Sequence, residues 1–242
     1  MLEPKGGTGY QSNNIVWSDF YVHKSWIVCV PKTVGTAGTY QVWRYKNIAT
    51  SWTHAIIAGT WTLSCFFSDP KLAEDLIARW SPSSHLLVCF SIGYFIHDGL
   101  DMLINRRKRE TWELLGHHVI IVICFGIAIV TRLYVGYGVV SLLVEVNSVF
   151  LHLRQMLQIA KVDPKSMLYR CNSLVNLGTF VVFRIVLLAW MTRWLVVNRD
   201  RIPLPFYTIG SISMAVMVVM NIVLFYRVHQ RDFRRRRKTS TS

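Results

Sequence analysis

The chain has 242 residues, 52% of them hydrophobic and 17% charged, with a mean hydropathy of +0.33. Soluble domains carry about 25% charged residues, so these figures exclude an ordinary soluble enzyme, a disordered chain and a coiled coil. Lys and Arg number 27 against 13 Asp and Glu, a formal net charge of +14; in so apolar a chain this reads as membrane topology and contact with anionic lipid, not as nucleic-acid binding.

Residues 1–42 contain Glu3, Lys5, Asp19, His23, Lys24 and Lys32 and no apolar core long enough for a signal peptide. They read as a polar, poorly ordered N-terminal segment. A membrane-spanning helix needs about 20 mostly apolar residues, and six candidates follow in chain order. Residues 51–67 are uncharged but short. Residues 84–104 carry Asp98 and Asp101. Residues 115–131 are uncharged and again short. Residues 133–158 carry Glu145 and Arg154, residues 174–197 carry Arg184 and Arg193, and residues 204–226 are uncharged. The expected fold is an all-α integral membrane protein with about six transmembrane helices, or five if the shortest candidate does not span. A basic run at 234–238 opens the tail 234–242.

Loop charge predicts orientation. Seventeen Lys and Arg fall on the side that holds Lys46, Arg106–Arg109 and the tail, against five on the side of Lys71, Arg79, Arg132, Arg199 and Arg201. Both termini are therefore expected in the cytoplasm. The cysteines, Cys29, Cys65, Cys89, Cys124 and Cys171, are scattered and odd in number, with no C-x-x-C, so neither a zinc site nor a disulfide framework is expected. No metal and no cofactor is called for. Trp43, Trp80, Trp112 and Trp194 lie near proposed span ends, as an aromatic belt requires.

Ionisable groups inside a span are costly and are functional candidates by default. At 100° per residue, Tyr94, His97, Asp98 and Asp101 fall within roughly a 100° arc of the second span. A carboxylate beside an imidazole orients it and makes it a stronger base, so this set suits acid–base chemistry, lipid-headgroup binding or metal ligation. In the expected topology His54, His117 and His118 lie in the first turns of spans that start on the same side, and Asn147 lies toward it. His117 and His118, as neighbours, are expected to face different ways. Glu145 and Arg184 lie at similar depth and are expected to form a structural ion pair. No P-loop, G-x-S-x-G or G-x-G-x-x-G occurs.

Several stretches together resemble the TLC domain family: Trp43-Arg44, Asn47, Ser51, His54, Gly59 and Trp61; Gly93-Tyr94-Phe95-Ile96-His97-Asp98 with Asp101; Trp112-Glu113 with His117-His118; Leu142-Leu143-Val144-Glu145-Val146-Asn147; and Tyr169-Arg170, Asn172, Asn176 and Phe183-Arg184. The resemblance covers residues 43–233, and within the family it points to the TLC domain-containing protein 1 and 2 subgroup. It implies a multi-span helical domain that handles membrane phospholipids. For the subgroup it implies a plasma-membrane regulator of phospholipid acyl composition and fluidity that limits polyunsaturated chains. An endoplasmic-reticulum location is the alternative. Ceramide synthases of the family carry a His-Asp pair in the span after the paired histidines. Here that place reads Val144-Glu145-Val146-Asn147-Ser148, so synthase activity is not carried over and the chain is expected not to be an enzyme. Two alternatives stay open: an acyl-CoA-dependent lipid acyltransferase, and an accessory modulator of a membrane channel. Expected partners are membrane phospholipids, with no nucleic acid.

Overall fold

A computed structural model describes residues 30–36, 38–105 and 109–240. The poor order expected of residues 1–42 lies outside the described residues for 1–29 and 37, as does the basic loop at 106–108, while 32–35 and 39–42 are helical. After a one-turn helix α1 (Lys32–Gly35) come α2 (Thr39–Ser68), α3 (Pro82–Asn105), α4 (Arg109–Thr131), α5 (Val135–Leu142), α6 (Val144–Ile159), α7 (Met167–Phe180), α8 (Leu187–Val197) and α9 (Leu204–Ser240). A π-helical turn, Val181–Val186, joins α7 to α8 without a break. No strand occurs among the described residues.

Five of these segments are long and apolar enough to cross a membrane: Pro82–Asn105, Trp112–Thr131, Val135–Ile159, Met167–Val197 and Leu204–Gln230. The chain is thus an all-helical, multi-pass membrane protein. α2, which contains the short candidate 51–67, has 30 residues, about 45 Å at 1.5 Å per residue. It is long enough to cross but less apolar, because it carries the groups that hydrogen-bond its neighbours.

Local chemistry sets the helix ends. Ser81 precedes Pro82, and its hydroxyl accepts from the Ser84 N–H (3.1 Å) while the Ser84 hydroxyl accepts from the Ser81 N–H (2.8 Å). This reciprocal cap, with proline in the first helical position, starts α3. The turn between α4 and α5 runs through Arg132 and Tyr134, both at positive φ, and is fastened where the Tyr134 N–H donates to the Ile77 carbonyl (2.6 Å). A Cβ on Gly136 would stand 3.0 Å from the Leu76 backbone, so a larger residue would push that junction apart.

α2 packs lengthwise on α6, α3 on α4, and α6 on α7, while α9 leans on α8 and α4. At Gly59 a Cβ would meet the Val146 backbone nitrogen at 3.3 Å. Membrane helices gain from close backbone approach, and here the α2 and α6 backbones lie close together. One apolar cluster, including Leu87, Phe95, Phe125 and Val139, joins α2 to α5; a second, including Leu188, Met191, Leu195 and Met214, joins α8 and α9 to α5. Leu174, Val186, Ile212 and Ile222 are exposed, as lipid-facing positions should be. The helices leave one large space between them.

Candidate functional site

That space is a cavity of about 920 Å³ enclosed by α2, α3, α4, α5, α6, α8 and α9 and the π turn. It lies at the upper end of the roughly 300–1,000 Å³ usual for small-molecule sites. On α9 its lining runs from Phe206 to Arg227, 21 residues or about 31 Å by the helical rise. The cavity therefore extends through about the thickness of a hydrocarbon core. Its two ends differ in chemistry. Tyr94, Asp98, His117, His118, Glu145, His152 and Arg184 line the end near the start of α4, with Arg44, Trp112, Glu113 and Arg227 at the mouth. Toward the other end the walls are Phe125, Ala128, Met191, Leu195, Ile202, Phe206 and Met214.

The polar end is organised around Asp98. One carboxylate oxygen accepts from Asn47 Nδ2 (2.8 Å), and the other lies 3.2 Å from His118 Nε2. Both Asp98 and His118 are buried. His118 Nδ1 lies 2.7 Å from the Leu114 carbonyl. A carbonyl only accepts, so Nδ1 carries a hydrogen and Nε2 is the nitrogen that shares a proton with Asp98. The imidazole is thereby held in one orientation, on the cavity wall, as an acid or base requires. Asp101, one turn along α3, stands behind. Its carboxylate accepts from Asn47 Nδ2 (3.1 Å), Trp43 Nε1 (3.2 Å) and Asn105 Nδ2 (3.2 Å). It does not line the cavity; it fixes Asn47, which fixes Asp98.

The other expected residues divide. Tyr94 lies on the wall, its hydroxyl bonded to Ser51. Its ring stacks on His54 at 3.8 Å between centroids and 10° between planes. His54 is buried behind it, with Nε2 lacking a hydrogen-bond partner. His97 is half-buried and is not part of the wall, because the arc that faces the cavity is centred on Tyr94, Asp98 and Met102. The expectation that all four α3 residues share the site is corrected to Tyr94 and Asp98 on the wall with Asp101 in support. His117 and His118 both line the cavity, against the expectation that they diverge; their rings stand 5.6 Å apart at 81°. A cavity wider than one helix face accommodates both. His117 Nδ1 rests 3.0 Å from Met217 Sδ on α9.

The expected Glu145–Arg184 ion pair is a neighbourhood and not a contact. Arg184 donates through Nε to Asn147 Oδ1 (2.6 Å), through Nη1 to Asn221 Oδ1 (2.8 Å) and through Nη2 to Ser148 Oγ (2.8 Å). Glu145 is buried on the cavity wall, close enough to feel the guanidinium charge but outside hydrogen-bond range. The π turn, which carries Arg184, shifts the helical register and aims the side chain inward, a common use of such turns. Asn147 is a bracket: its Nδ2 donates to the Asn176 carbonyl (3.1 Å) and Thr179 Oγ1 (3.0 Å) while its oxygen holds Arg184.

Four residues outside the expected site complete it. Asn47 and Trp43 bind the two aspartates, so Trp43 does more than anchor a span end. His152 lines the wall with its buried Nδ1 unpartnered, and Asn221 bonds Arg184. Trp43 and Asn47 are four residues apart, one turn of helix, and this i,i+4 spacing of two side-chain donors on α2 was the available signal. Nothing local marked Asn221. Among the described residues no group of three metal-ligating side chains comes together.

Residues 44–230, most of the chain, match the TLC domain family. The chain belongs to the TLC domain family. It is 59% identical over 191 residues to TLC domain-containing protein 2 of Danio rerio, covering 79% of this chain and 77% of that protein. It is 36% identical over 197 residues to TLC domain-containing protein 1 of Homo sapiens (81% and 78%) and 36% identical over 190 residues to TLC domain-containing protein 2 of Homo sapiens (78% and 72%). Membership in the TLC domain family indicates a lipid-related role in the membrane. The Asp98–His118 pair joins α3 to α4, so in this TLC domain the aspartate and the second of the paired histidines come from consecutive helices.

Proposed function

We propose that the protein regulates the acyl composition of membrane phospholipids, and through it membrane fluidity, by holding an acyl chain in the cavity and restricting polyunsaturated chains. The observation that carries this reading is the cavity itself: membrane-deep, apolar along most of its length, and polar where glycerol and the first acyl carbons would lie. An acyl chain already in lipid loses little on entering apolar walls, so the shape of the cavity and its polar end decide which chain is held. In this reading the polar end faces the cytoplasmic leaflet, which the Lys and Arg bias of the loops supports, and the membrane is the plasma membrane.

A second reading, acyl transfer, is favoured by one feature. His118 Nε2 shares a proton with Asp98 on the cavity wall while Nδ1 is committed to a carbonyl, so the acid–base group of such a step is the Asp98–His118 pair through its shared proton, not a free ring nitrogen. Both readings are tested in cells lacking the protein. Re-expressed wild type should lower the polyunsaturated fraction of phospholipids, and His118→Gln, at equal abundance, should not. Full rescue by His118→Gln would refute a working role for the polar end. Turnover of acyl-CoA and lysophospholipid by the purified protein would select the enzyme.

A further inference from the structure

We infer that Arg184 is the receptor for an acyl carbonyl oxygen, the group by which an ester or thioester is held opposite His118. This rests on the reading of the cavity as an acyl site. A guanidinium has five N–H groups. Three are used, one on Nε and one on each terminal nitrogen, by Asn147, Ser148 and Asn221. One N–H on each terminal nitrogen therefore remains, and the side chain is only half-buried where it lines the cavity. Its three acceptors are neutral. They orient the fork without satisfying it, and the remaining N–H on each terminal nitrogen is available to a further oxygen in the cavity.

The charges nearby decide which oxygen. Glu145 brings a carboxyl group to the same cavity wall as Arg184. A second carboxylate, as in a free fatty acid, would add like charge in a site of low dielectric. A neutral carbonyl adds none and gains two hydrogen bonds. Position agrees. Asn221 lies six residues from Arg227 at the mouth and fifteen from Phe206 at the far end, or about 9 Å and 22 Å along α9. A carbonyl at Arg184 leaves the chain a run longer than the roughly 15 Å of one hydrocarbon leaflet. His118 and Arg184 both line this one cavity, which puts the imidazole and the guanidinium around one space.

The test uses wild-type protein with ¹⁵N-arginine in lipid nanodiscs and two probes labelled with ¹³C at the acyl carbonyl, oleoyl phosphatidylcholine in the bilayer or oleoyl-CoA added outside. Solid-state dipolar recoupling reads the contact between label and guanidinium nitrogen. A contact is expected with one probe, and which one identifies an ester or a thioester ligand. It should vanish in Arg184→Lys, which keeps the charge but loses the fork, while the label stays bound. It should persist in the Arg44→Lys, Arg227→Lys double variant, which removes the other two cavity-lining arginines and assigns the contact even if Arg184→Lys does not fold. A contact that survives Arg184→Lys or is lost in the double variant overturns the inference. So does saturable binding without a contact, which leaves the acyl cavity standing. Failure of both probes to bind wild type overturns the cavity reading and the inference with it.

Discussion

Replacing Asp98 by asparagine and by alanine separates geometry from charge at the polar end. Asp98 accepts from Asn47 at 2.8 Å and faces His118 Nε2 at 3.2 Å, while His118 Nδ1 is committed to the Leu114 carbonyl at 2.7 Å. In Asp98→Asn the amide oxygen still accepts from Asn47, and the new N–H donates to His118 Nε2, which in the neutral ring is an acceptor. Every group remains paired. The change exchanges charge-assisted bonds of about 1.5–3 kcal/mol for neutral ones of about 0.5–1.5 kcal/mol, a loss of about 1–2 kcal/mol. Asp98→Ala strands His118 Nε2 and leaves Asn47 only Asp101 at 3.1 Å. Loss of one partner from a buried pair costs about 3–5 kcal/mol. Alanine should therefore destabilise by about 2–3 kcal/mol more than asparagine, the difference between those two ranges. Steric trapping in bicelles measures this at equilibrium, which detergent melting, usually irreversible, does not. Asp98→Asn should nevertheless lose the effect on phospholipid acyl composition, because the proton shared with His118 is gone. Equal costs for the two variants would show that the partner groups find water or other acceptors. Full lipid activity in Asp98→Asn would show that the shared proton is idle.

Gly59→Ala should destabilise by about 1–3 kcal/mol, since the added carbon meets the Val146 backbone at 3.3 Å and α2 and α6 must part; Gly93→Ala, with nothing within 4 Å, should be neutral or stabilising in the same unfolding assay. Gly116 lines the cavity with open space where a side chain would go. Gly116→Ala should gain up to about 1 kcal/mol of helix propensity, whereas Gly116→Leu should stay folded but purify with less phospholipid by mass spectrometry. Trp43→Phe removes a donor to a carboxylate at 3.2 Å and should cost about 1.5–3 kcal/mol, against little for Trp190→Phe, whose ring is exposed. A C-terminal epitope tag should bind antibody only after cells are permeabilised; surface labelling would reverse the orientation.

Much of this protein is legible in one dimension, because the bilayer imposes a requirement that acts residue by residue. A spanning segment must be long, apolar and internally hydrogen-bonded, so composition alone marks α3, α4, the α5–α6 and α7–α8 segments and α9. The same requirement makes buried polar groups conspicuous. Asp98, His118 and Arg184 stand out in the bare sequence because each costs too much in lipid to be idle. Periodicity then locates the α3 face to within a residue or two: Tyr94 and Asp98 reach the cavity, while Asp101 stands behind it and His97 lies off it.

What periodicity does not contain is the register of one helix against another, and every choice of partner depends on that register. Charge and depth match Arg184 with Glu145. A π turn and the axial position of α9 instead bring Asn147, Ser148 and Asn221 to its nitrogens, and a neutral acceptor at 2.8 Å takes the place a carboxylate would have filled. Asn47 and Trp43 are part of the site only because α2 lies along α3 at the height of Asp98 and Asp101. His117 and His118, which point a hundred degrees apart on one helix, both reach the cavity because the surrounding helices stand far enough apart to leave it. The cavity belongs to the packing of seven helices and the π turn, and no segment of the chain carries its shape.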